Sequence, residues 1–377
     1  MKHFILKYLT PIFILSLFFS CKKNQNKSSF NERNTIENTI KYARGFDIQH
    51  FKNYTKLIIK APYQNSKETF EYILIDSLDK KHLNTLKTPL QSIVVTSTTH
   101  IPMLELLDVE NKLVGFPNTN YISSKKTRLL VDKGVIKELG NEESINTELL
   151  LDLQPDVVVG FSINSNNKMF TVIENFGIPV LLNGDWLEET PLGRAEWIKF
   201  FGVLFDKESE ADSIFKNIEK NYLNAKSIAL EAKNVPTIIS GGLFKDVWNL
   251  PAGDSFEASF LQDANTNYLW KKSKGKGSLS LNVESVFEKG KDADLWISPS
   301  YYKTLKQLKN ANSIYTKFKA FQHHNIFTYV NKTGENGGVL YFELAPARPD
   351  LVLKDLIKIA HPELLKNYEF TFYEKLK

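Results

Sequence analysis

Apolar positions along most of the chain follow two periodicities that alternate. From Pro89 onward, short runs rich in Val and Ile, such as Ile93–Val95, alternate with segments whose apolar residues recur every three or four positions. The short runs are typical of parallel strands buried on both faces, and the longer segments are typical of the helices that cover them. The pattern therefore predicts an α/β fold.

One segment of this pattern occurs twice. The run Ile145-Asn146-Thr147-Glu148 and the apolar residues after it return in altered form as Leu281-Asn282-Val283-Glu284, which leads through Asp294 to a second apolar run. Each copy predicts a short helix that opens with Asn, carries Glu in its first turn and delivers the chain to a buried strand. We therefore expect two related lobes.

The regions on either side of the first lobe have patterns of their own. Residues 42–48, 56–60 and 70–75 alternate or cluster β-forming residues, which predicts an N-terminal β-hairpin extension. Pro191 opens the longest helical pattern, and its spacing indicates one amphipathic helix or a pair of helices up to residue 233. A final helix is predicted at residues 351–360.

The N-terminus resembles an export signal. Lys2 and Lys7 precede an apolar stretch that ends at Ser20-Cys21, and Cys21 is the one cysteine of the sequence. This predicts a bacterial lipoprotein signal, with cleavage before Cys21 and lipid attached to it. An uncleaved N-terminal anchor is the alternative, and both interpretations tether the protein outside the cytoplasm. The polar residues 22–37 suit a solvated leash.

Composition and charge exclude some classes of protein. A hydrophobic fraction of 42% and a charged fraction of 24% are ordinary for a globular protein, which argues against extensive disorder. Residues 1–20 contain two Lys and no acid, so their removal lowers the net charge from +5 to +3. This charge is too small to indicate a nucleic-acid partner.

The order of these segments resembles a known family. Residues 93–100, 104–107, 112–115 and 146–159 follow one another as in the substrate-binding proteins of ABC importers for iron complexes and cobalamin. The resemblance covers residues 42–362 and is most specific at residues 89–159. It implies a class III periplasmic-binding-protein fold, with two α/β lobes of mainly parallel sheets joined by a long helix.

On this basis the chain is expected to divide into seven parts. They are a signal peptide (1–20), a lipid-anchored leash (21–40), a β-hairpin extension (41–88), an N-terminal lobe (89–186), an interlobe helix (187–234), a C-terminal lobe (235–346) and a C-terminal helix and tail (347–377).

The resemblance also assigns a role to the repeated Glu. In that family one Glu at the tip of each lobe docks onto Arg pockets of the membrane permease, and the matching positions are Glu148 and Glu284. Considered without the resemblance, each Glu would simply complement the positive end of a helix dipole, which contributes about 0.3 to 1 kcal/mol.

Ligands of open α/β sheets bind beyond the carboxyl ends of the strands, so the loops there supply the candidate site. Those loops are rich in aromatic rings, which suit a large and partly apolar ligand, although each ring alone is as readily explained by packing. Arg348 can pair with a carboxylate or an anionic chelate, whereas Arg194 and Arg128 are weaker candidates. The predicted ligand-binding residues are Thr99, His100, Phe116, Tyr121, Phe161, Trp186, Phe244, Trp248, Tyr301, Tyr302 and Arg348.

These features predict a binding protein. We expect it to trap a ferric chelate (a siderophore complex), haem or a corrinoid between the lobes and to deliver it to an ABC permease and its ATPase. No cofactor of its own and no metal site are expected, because no His/Cys/Asp cluster has suitable spacing, and no enzyme motif occurs. An enzyme or a surface receptor lipoprotein on the same scaffold remains the alternative.

Overall fold

The computed structural model describes residues 40–77, 84–141, 144–164 and 167–377. The predicted signal peptide, the lipidation site Cys21 and the predicted leash up to residue 39 lie outside the described residues. The remainder forms two α/β lobes that are joined by helices, preceded by a separate N-terminal sheet.

The N-terminal extension is a four-stranded sheet and not only a hairpin. Its strands, which pair in chain order, are β1 (Phe46–His50), β2 (Thr55–Lys60), β3 (Thr69–Ile75) and β4 (Thr85–Lys87). The predicted strands at residues 56–60 and 70–75 are confirmed by β2 and β3.

The first strand begins later than the predicted residue 42 because two carboxylates hold the preceding backbone. Glu196 accepts hydrogen bonds from the backbone N–H groups of residues 41–43. Glu188 accepts from those of Arg44 and Gly45. The chain therefore runs along the interlobe helices before it enters the sheet.

The first lobe is built on a parallel sheet in the order β11-β10-β5-β6-β7, with β8 and β9 as a separate hairpin. Its helices connect successive strands, as expected for parallel α/β units. The strands are β5 (Ile93–Val95), β6 (Leu113–Phe116), β7 (Lys137–Glu138), β8 (Gly140–Asn141), β9 (Ser144–Ile145), β10 (Val157–Gly160) and β11 (Val180–Leu182). The helices are α1 (His100–Leu106), α2 (Lys125–Asp132), α3 (Thr147–Leu153) and α4 (Lys168–Asn175).

Three helices join the lobes where the sequence predicted one or two. They are α5 (Pro191–Glu196), α6 (Ile198–Leu204) and α7 (Glu208–Ala229), of which α7 has 22 residues. The break before α7 falls at Asp206, whose φ of 56° is left-handed. A Cβ at Gly202 would lie 2.6 Å from the Cβ of Ala211, so this glycine permits the close packing of α6 on α7.

The second lobe has a mainly parallel sheet in the order β15-β12-β17-β18-β19, in which only β19 is antiparallel. A three-stranded antiparallel sheet, β13-β14-β16, projects from it. The strands are β12 (Thr237–Ser240), β13 (Gly242–Phe244), β14 (Val247–Pro251), β15 (Asn267–Tyr268), β16 (Ser278–Leu281), β17 (Leu295–Ile297), β18 (Ile326–Thr328) and β19 (Glu374–Lys375). The helices are α8 (Phe256–Asp263), α9 (Val283–Gly290), α10 (Leu305–Ala311), α11 (Lys319–Gln322), α12 (Leu340–Leu344) and α13 (Pro349–Ala360). The predicted final helix is confirmed by α13, which packs against α7.

The two lobes share one topology, which accounts for the repeated sequence. The strand order β6-β5-β10-β11 in the first lobe corresponds to β15-β12-β17-β18 in the second. The two copies of the repeat lie at equivalent places, as α3 before β10 and as α9 before β17.

Asp156, just before β10, and Asp294, just before β17, make the same pair of hydrogen bonds in their own lobes. In the first lobe the N–H of Ser92 donates to Asp156 Oδ2 at 2.9 Å, and the N–H of Asp156 donates to Ser92 Oγ at 3.0 Å. In the second lobe Thr237 and Asp294 form the corresponding bonds at 2.8 and 3.0 Å. Each Asp thus fixes the start of the strand beside its own.

The lobes also touch directly at one edge of the cleft. The carboxylate of Glu343, on α12, accepts hydrogen bonds from the N–H groups of Ser123 (2.6 Å) and Ser124 (2.9 Å) of the first lobe. Glu343 is only 2% exposed. Burial raises its pKa to about 7, although the two N–H donors oppose this shift.

Replacement of Asp294 by Asn should weaken the second lobe. Burial raises the pKa of Asp294, but hydrogen bonds from Lys319 and Thr237 outweigh it and bring the pKa to about 2. Because this pKa lies below the ordinary 3.8, the ionised carboxylate stabilises the fold above about pH 4, and the contribution is lost as the pH falls towards 2. We expect Asp294→Asn to lower the free energy of unfolding by about 1 kcal/mol at pH 7. Urea unfolding at pH 7 and pH 3 measures this, and the difference should be smaller at pH 3.

Asp292→Asn is the matched control, because Asp292 is exposed and lies two positions away. Equal destabilisation by both substitutions would contradict a specific role of Asp294.

Replacement of Glu343 by Gln should change how stability depends on pH. The pKa of Glu343 in the folded protein lies above its ordinary 4.5, so wild-type stability from this group is present below about pH 4.5 and falls as the pH rises through 7. Gln does not titrate. Between pH 5 and pH 8, the unfolding free energy of the variant relative to wild type should rise by about 2 kcal/mol.

The measurement is urea unfolding at both pH values, with Glu335→Gln, at an exposed position of the neighbouring loop, as the control. The same relative change in the Glu335 variant, or none in the Glu343 variant, would refute the assignment.

Candidate ligand-binding cleft

A cavity of about 730 Å³ lies between the lobes, at the carboxyl ends of β5, β12 and β17. Both lobes and the interlobe helices contribute to its wall, but unequally. The first lobe supplies Thr98 and Thr99, α5 supplies Arg194, and the second lobe supplies the rest. The second-lobe residues are Ser240, Gly241, Gly242, Phe244, Asn249, Leu250, Pro251, Ser255, Phe256, Glu257, Lys276, Gly277, Ser278, Ser298, Ser300, Tyr301, Tyr329, Tyr341, Phe342, Ala345 and Pro346.

Sharp turns after two adjacent strands bring the backbone to this cavity. After β12, Gly241 has a φ of +76°, and a Cβ there would lie 1.8 Å from the carbonyl oxygen of Asn249. Only glycine fits this position. After β17, Ser298 and Ser300 also have left-handed φ values, of 55° and 61°. Positions of this kind are frequent at binding sites held by a rigid sheet.

The projecting sheet β13-β14-β16 forms one side of the cavity. Phe244, at its tip, is 65% exposed, and Lys276 precedes β16 on the same wall. The ammonium of Lys276 pairs with Glu189, just before α5. This ion pair joins the projecting sheet to the interlobe segment across the cavity rim.

Six aromatic rings make up most of the apolar wall: Phe244, Phe256, Tyr301, Tyr329, Tyr341 and Phe342. Tyr329 and Tyr341 stack with centroids 4.2 Å apart and planes at 7°. Burial raises the pKa of both phenols well above the ordinary 10, so both remain neutral hydrogen-bonding groups.

Arg194 is the fixed cation of the cavity. Its Nη2 donates to the carbonyl of Trp186 at 2.9 Å, and its Nε donates to the carbonyl of Glu188 at 3.3 Å. The guanidinium lies 3.7 Å from the ring centroid of Phe256. Burial lowers the pKa of Arg194, whereas nearby Asp185 raises it. The remaining N–H groups of the guanidinium can serve a ligand.

The structure places some of the predicted ligand-binding residues on the cavity wall, some in the core and some elsewhere off the wall. Thr99, Phe244 and Tyr301 lie on the cavity wall. Tyr301 and Phe244 are the more exposed, at 71% and 65%, so their rings are open to a ligand.

Three predicted residues instead belong to the core. His100 is fully buried beside Phe201, with ring centroids 5.4 Å apart, and burial lowers its pKa so that the imidazole is neutral. Phe116 is 1% exposed within the core of the first lobe. Trp248 is fully buried and stacks on Trp296 at 5.3 Å. The prediction is corrected for these three, since their side chains fill the lobes and do not line the cavity.

Four further predicted rings do not line the cavity: Tyr121, Phe161, Trp186 and Tyr302. Tyr121 is 61% exposed, whereas Phe161, Trp186 and Tyr302 are half-buried. Tyr302 packs edge-on against Tyr315, with centroids 6.2 Å apart.

Arg348 also lies away from the cavity wall. Its Nε and Nη2 donate to the two carboxylate oxygens of Asp350 at 2.9 and 2.8 Å. The bidentate pairing expected with a ligand is therefore made within the chain, at the start of α13. Arg194, the weaker sequence candidate, lies on the wall instead.

Several wall residues had no signal in the sequence that would single them out. Glu257 and Phe256 lie on α8, whereas Tyr341 and Phe342 lie on α12, and loops were the expected source of contacts. All four residues lie in the first turn or two of the helix that follows a strand, since α8 follows β14 and α12 is the first helix after β18.

The two repeated Glu residues occupy equivalent and exposed positions. Glu148 is in the first turn of α3 and Glu284 in the first turn of α9. The side chains of Asn146 and Asn282 cap these helices by accepting hydrogen bonds from the N–H groups of Leu149 and Ser285. Helices that connect parallel strands run against them, so both Glu residues lie towards the carboxyl edges of the sheets, where the cavity opens.

Two further features are absent from the described residues. No group of three or more His, Cys, Asp or Glu side chains is placed to hold a metal ion there. No helix in that part of the chain has the length and apolarity needed to cross a membrane.

Comparison with known proteins agrees with this architecture. The family model described as periplasmic binding protein matches residues 93–333. An uncharacterized lipoprotein of Methanocaldococcus jannaschii is 25% identical, over 93% of this chain and 89% of its own length.

Two solved structures show a similar fold. A possible iron-binding, periplasmic solute-binding protein from Staphylococcus epidermidis has a TM-score of 0.57 at 18% identity, covering 73% of this chain and 100% of its own. The periplasmic haem-binding protein HutB of Vibrio cholerae has a TM-score of 0.55 at 16% identity, covering 70% and 99%. Because the family model spans more than half of the chain, the protein belongs to the periplasmic binding protein family and lies outside the cytoplasm.

Proposed function

We propose that the protein captures a metal complex, namely a siderophore-bound iron, haem or a corrinoid, in the interlobe cavity and delivers it to an ABC permease. The observation that carries this proposal is the cavity of about 730 Å³ with six aromatic rings on its wall. A space of this size and composition is typical of sites for sizeable, partly apolar ligands. Fold relatives described as iron-binding and haem-binding support the same ligand class.

The described residues offer no ready-made metal cluster, so the ligand is expected to bring its metal already chelated. The protein would then recognise the organic periphery of the complex. Rings provide contact area, while hydroxyl groups such as those of Thr98 and Ser298 and the guanidinium of Arg194 provide hydrogen bonds. Binding of this kind returns the ligand chemically unchanged.

Removal of the two exposed rings should weaken binding. Phe244 and Tyr301 lie on the wall and remain mostly exposed, so a ligand would bury them. We expect Phe244→Ala and Tyr301→Ala each to lower affinity by about 1 to 2 kcal/mol, or roughly 5-fold to 30-fold. The measurement is fluorescence titration of the five Trp with a ferric siderophore, haem and cobalamin.

Phe176→Ala serves as the control, because Phe176 is 56% exposed but lies at the end of α4, outside the cavity. Unchanged affinity in both cavity variants would contradict the site, and failure of all three ligands to bind would contradict the proposed function.

We also propose that Glu148 and Glu284 dock onto the permease. They are equivalent by the internal repeat, exposed, and placed at the cleft edge of each lobe. Charges in such positions set orientation and association rate more than affinity. A lipid on Cys21 would hold the protein at the membrane surface, and the lipoprotein relative supports such an anchor.

Replacement of both Glu residues should separate transport from binding. In the Glu148→Gln, Glu284→Gln double variant, ligand affinity in solution should match wild type, because neither side chain lines the cavity. Uptake of labelled ligand in cells that express the cognate permease should be abolished. The matched control is Asp152→Asn with Glu288→Gln, exposed acids on the same two helices. Normal uptake by the Glu148/Glu284 variant would refute the docking role.

A further inference from the structure

One carboxylate on the cavity wall has no partner in the protein. Glu257 lies in the first turn of α8 and lines the cavity. Among the described residues, no side chain or backbone group forms a hydrogen bond or ion pair with it; its main electrostatic neighbour is Arg194. Burial raises the pKa of Glu257, and Arg194 opposes that effect.

This arrangement differs from that of the other buried acids. Glu188, Glu196 and Glu343 each accept at least two backbone hydrogen bonds. A half-buried carboxylate without such bonds is costly to maintain for stability alone. It is therefore explained by a group that the ligand supplies.

The surroundings of Glu257 restrict what that group can be. Arg194 is held by two backbone carbonyls and by the ring of Phe256, and its guanidinium forms no ion pair with Glu257. Lys276, the other cation on the wall, is paired with Glu189. The cavity consequently offers one open carboxylate acceptor beside one fixed donor with positive charge.

We propose that Glu257 is a specificity-determining residue that selects metal complexes carrying an amine, amide or hydroxyl donor and little net negative charge. This inference rests on the proposed function. A ligand with such a donor satisfies Glu257 while an oxygen of the same ligand meets Arg194. A polyanionic complex brings negative charge next to the carboxyl group of Glu257, which opposes binding.

The test compares two ferric complexes of opposite charge on the wild-type protein and on Glu257→Gln. One probe is a monocationic linear trihydroxamate complex with a free ammonium group, and the other is a trianionic tris-catecholate complex. In wild type the cationic complex should bind more tightly. In Glu257→Gln its affinity should fall by about 10-fold or more, whereas the affinity of the trianionic complex should rise by a similar factor.

Asp254→Asn is the matched control, because it removes the same charge three residues earlier, at an exposed position off the cavity wall. It should leave both affinities within about 2-fold of wild type. For each probe, the affinity of the variant is compared with the affinity of wild type. The different shapes of the two probes therefore do not affect the comparison.

The possible outcomes separate the two proposals. If wild type binds both complexes and Glu257→Gln changes neither affinity, or changes both in the same direction, the role of Glu257 is overturned while the proposed function stands. If wild type binds neither these complexes nor haem or cobalamin, both are overturned. Equal effects of the Glu257 and Asp254 variants would show a general charge effect and would also overturn the assignment.

Discussion

The structure depends on helices that belong to two cores at once. Leu192 of α5 packs into the core of the second lobe, whereas Ala195 and Trp197, three and five residues later, pack into that of the first. The 22 residues of α7 extend the same arrangement over about 33 Å. Because side chains in such cores are close-packed, the lobes cannot separate widely without disturbing both of them. The spacing of the lobes, and with it the cavity, is consequently fixed by shared hydrophobic packing. Arg194 lies on this shared segment and reaches the cavity wall from it.

Buried carboxylates complete this framework by accepting backbone N–H groups where the chain has no regular partner. Glu188 and Glu196 hold residues 41–45 against the interlobe helices, and Glu343 holds the start of α2 against the second lobe. Each carboxylate accepts N–H groups that would otherwise be buried without a hydrogen bond. Leaving those donors unpaired would cost more free energy than burying a carboxylate that accepts several hydrogen bonds. In the described part of the chain, these three acids hold separate segments together. Glu257, on the cavity wall, has the same chemistry but accepts no such bonds, and under the proposal above it is left for a ligand.

Residues that act locally, such as helix caps, allowed the fold to be predicted from the sequence. The ligand-binding residues were harder to predict, because tertiary packing decides which side chains reach the cavity. The caps Asn146 and Asn282 act on backbone groups three residues away, so the sequence repeat was sufficient to predict two related lobes. Whether a ring faces a core or a cavity depends instead on strand register. Along β14, Val247 is exposed and Trp248 is buried, although both follow the same turn. Likewise, nothing in the spacing of Arg348 showed that Asp350 would take both of its hydrogen bonds.

The two lobes contribute unequally to the cavity wall, and this difference affects how a bound ligand would leave. The first lobe contributes Thr98 and Thr99 alone, so a small separation of the lobes would remove few contacts from a ligand held by the second lobe. The helix α9 begins directly after β16, whose first residue, Ser278, lines the cavity together with Lys276 and Gly277. Under the proposed docking, a partner that holds Glu284 therefore acts on a segment only a few residues from the wall itself. Since α9 also packs against β14, a shift of α9 would be transmitted to a second strand of that wall.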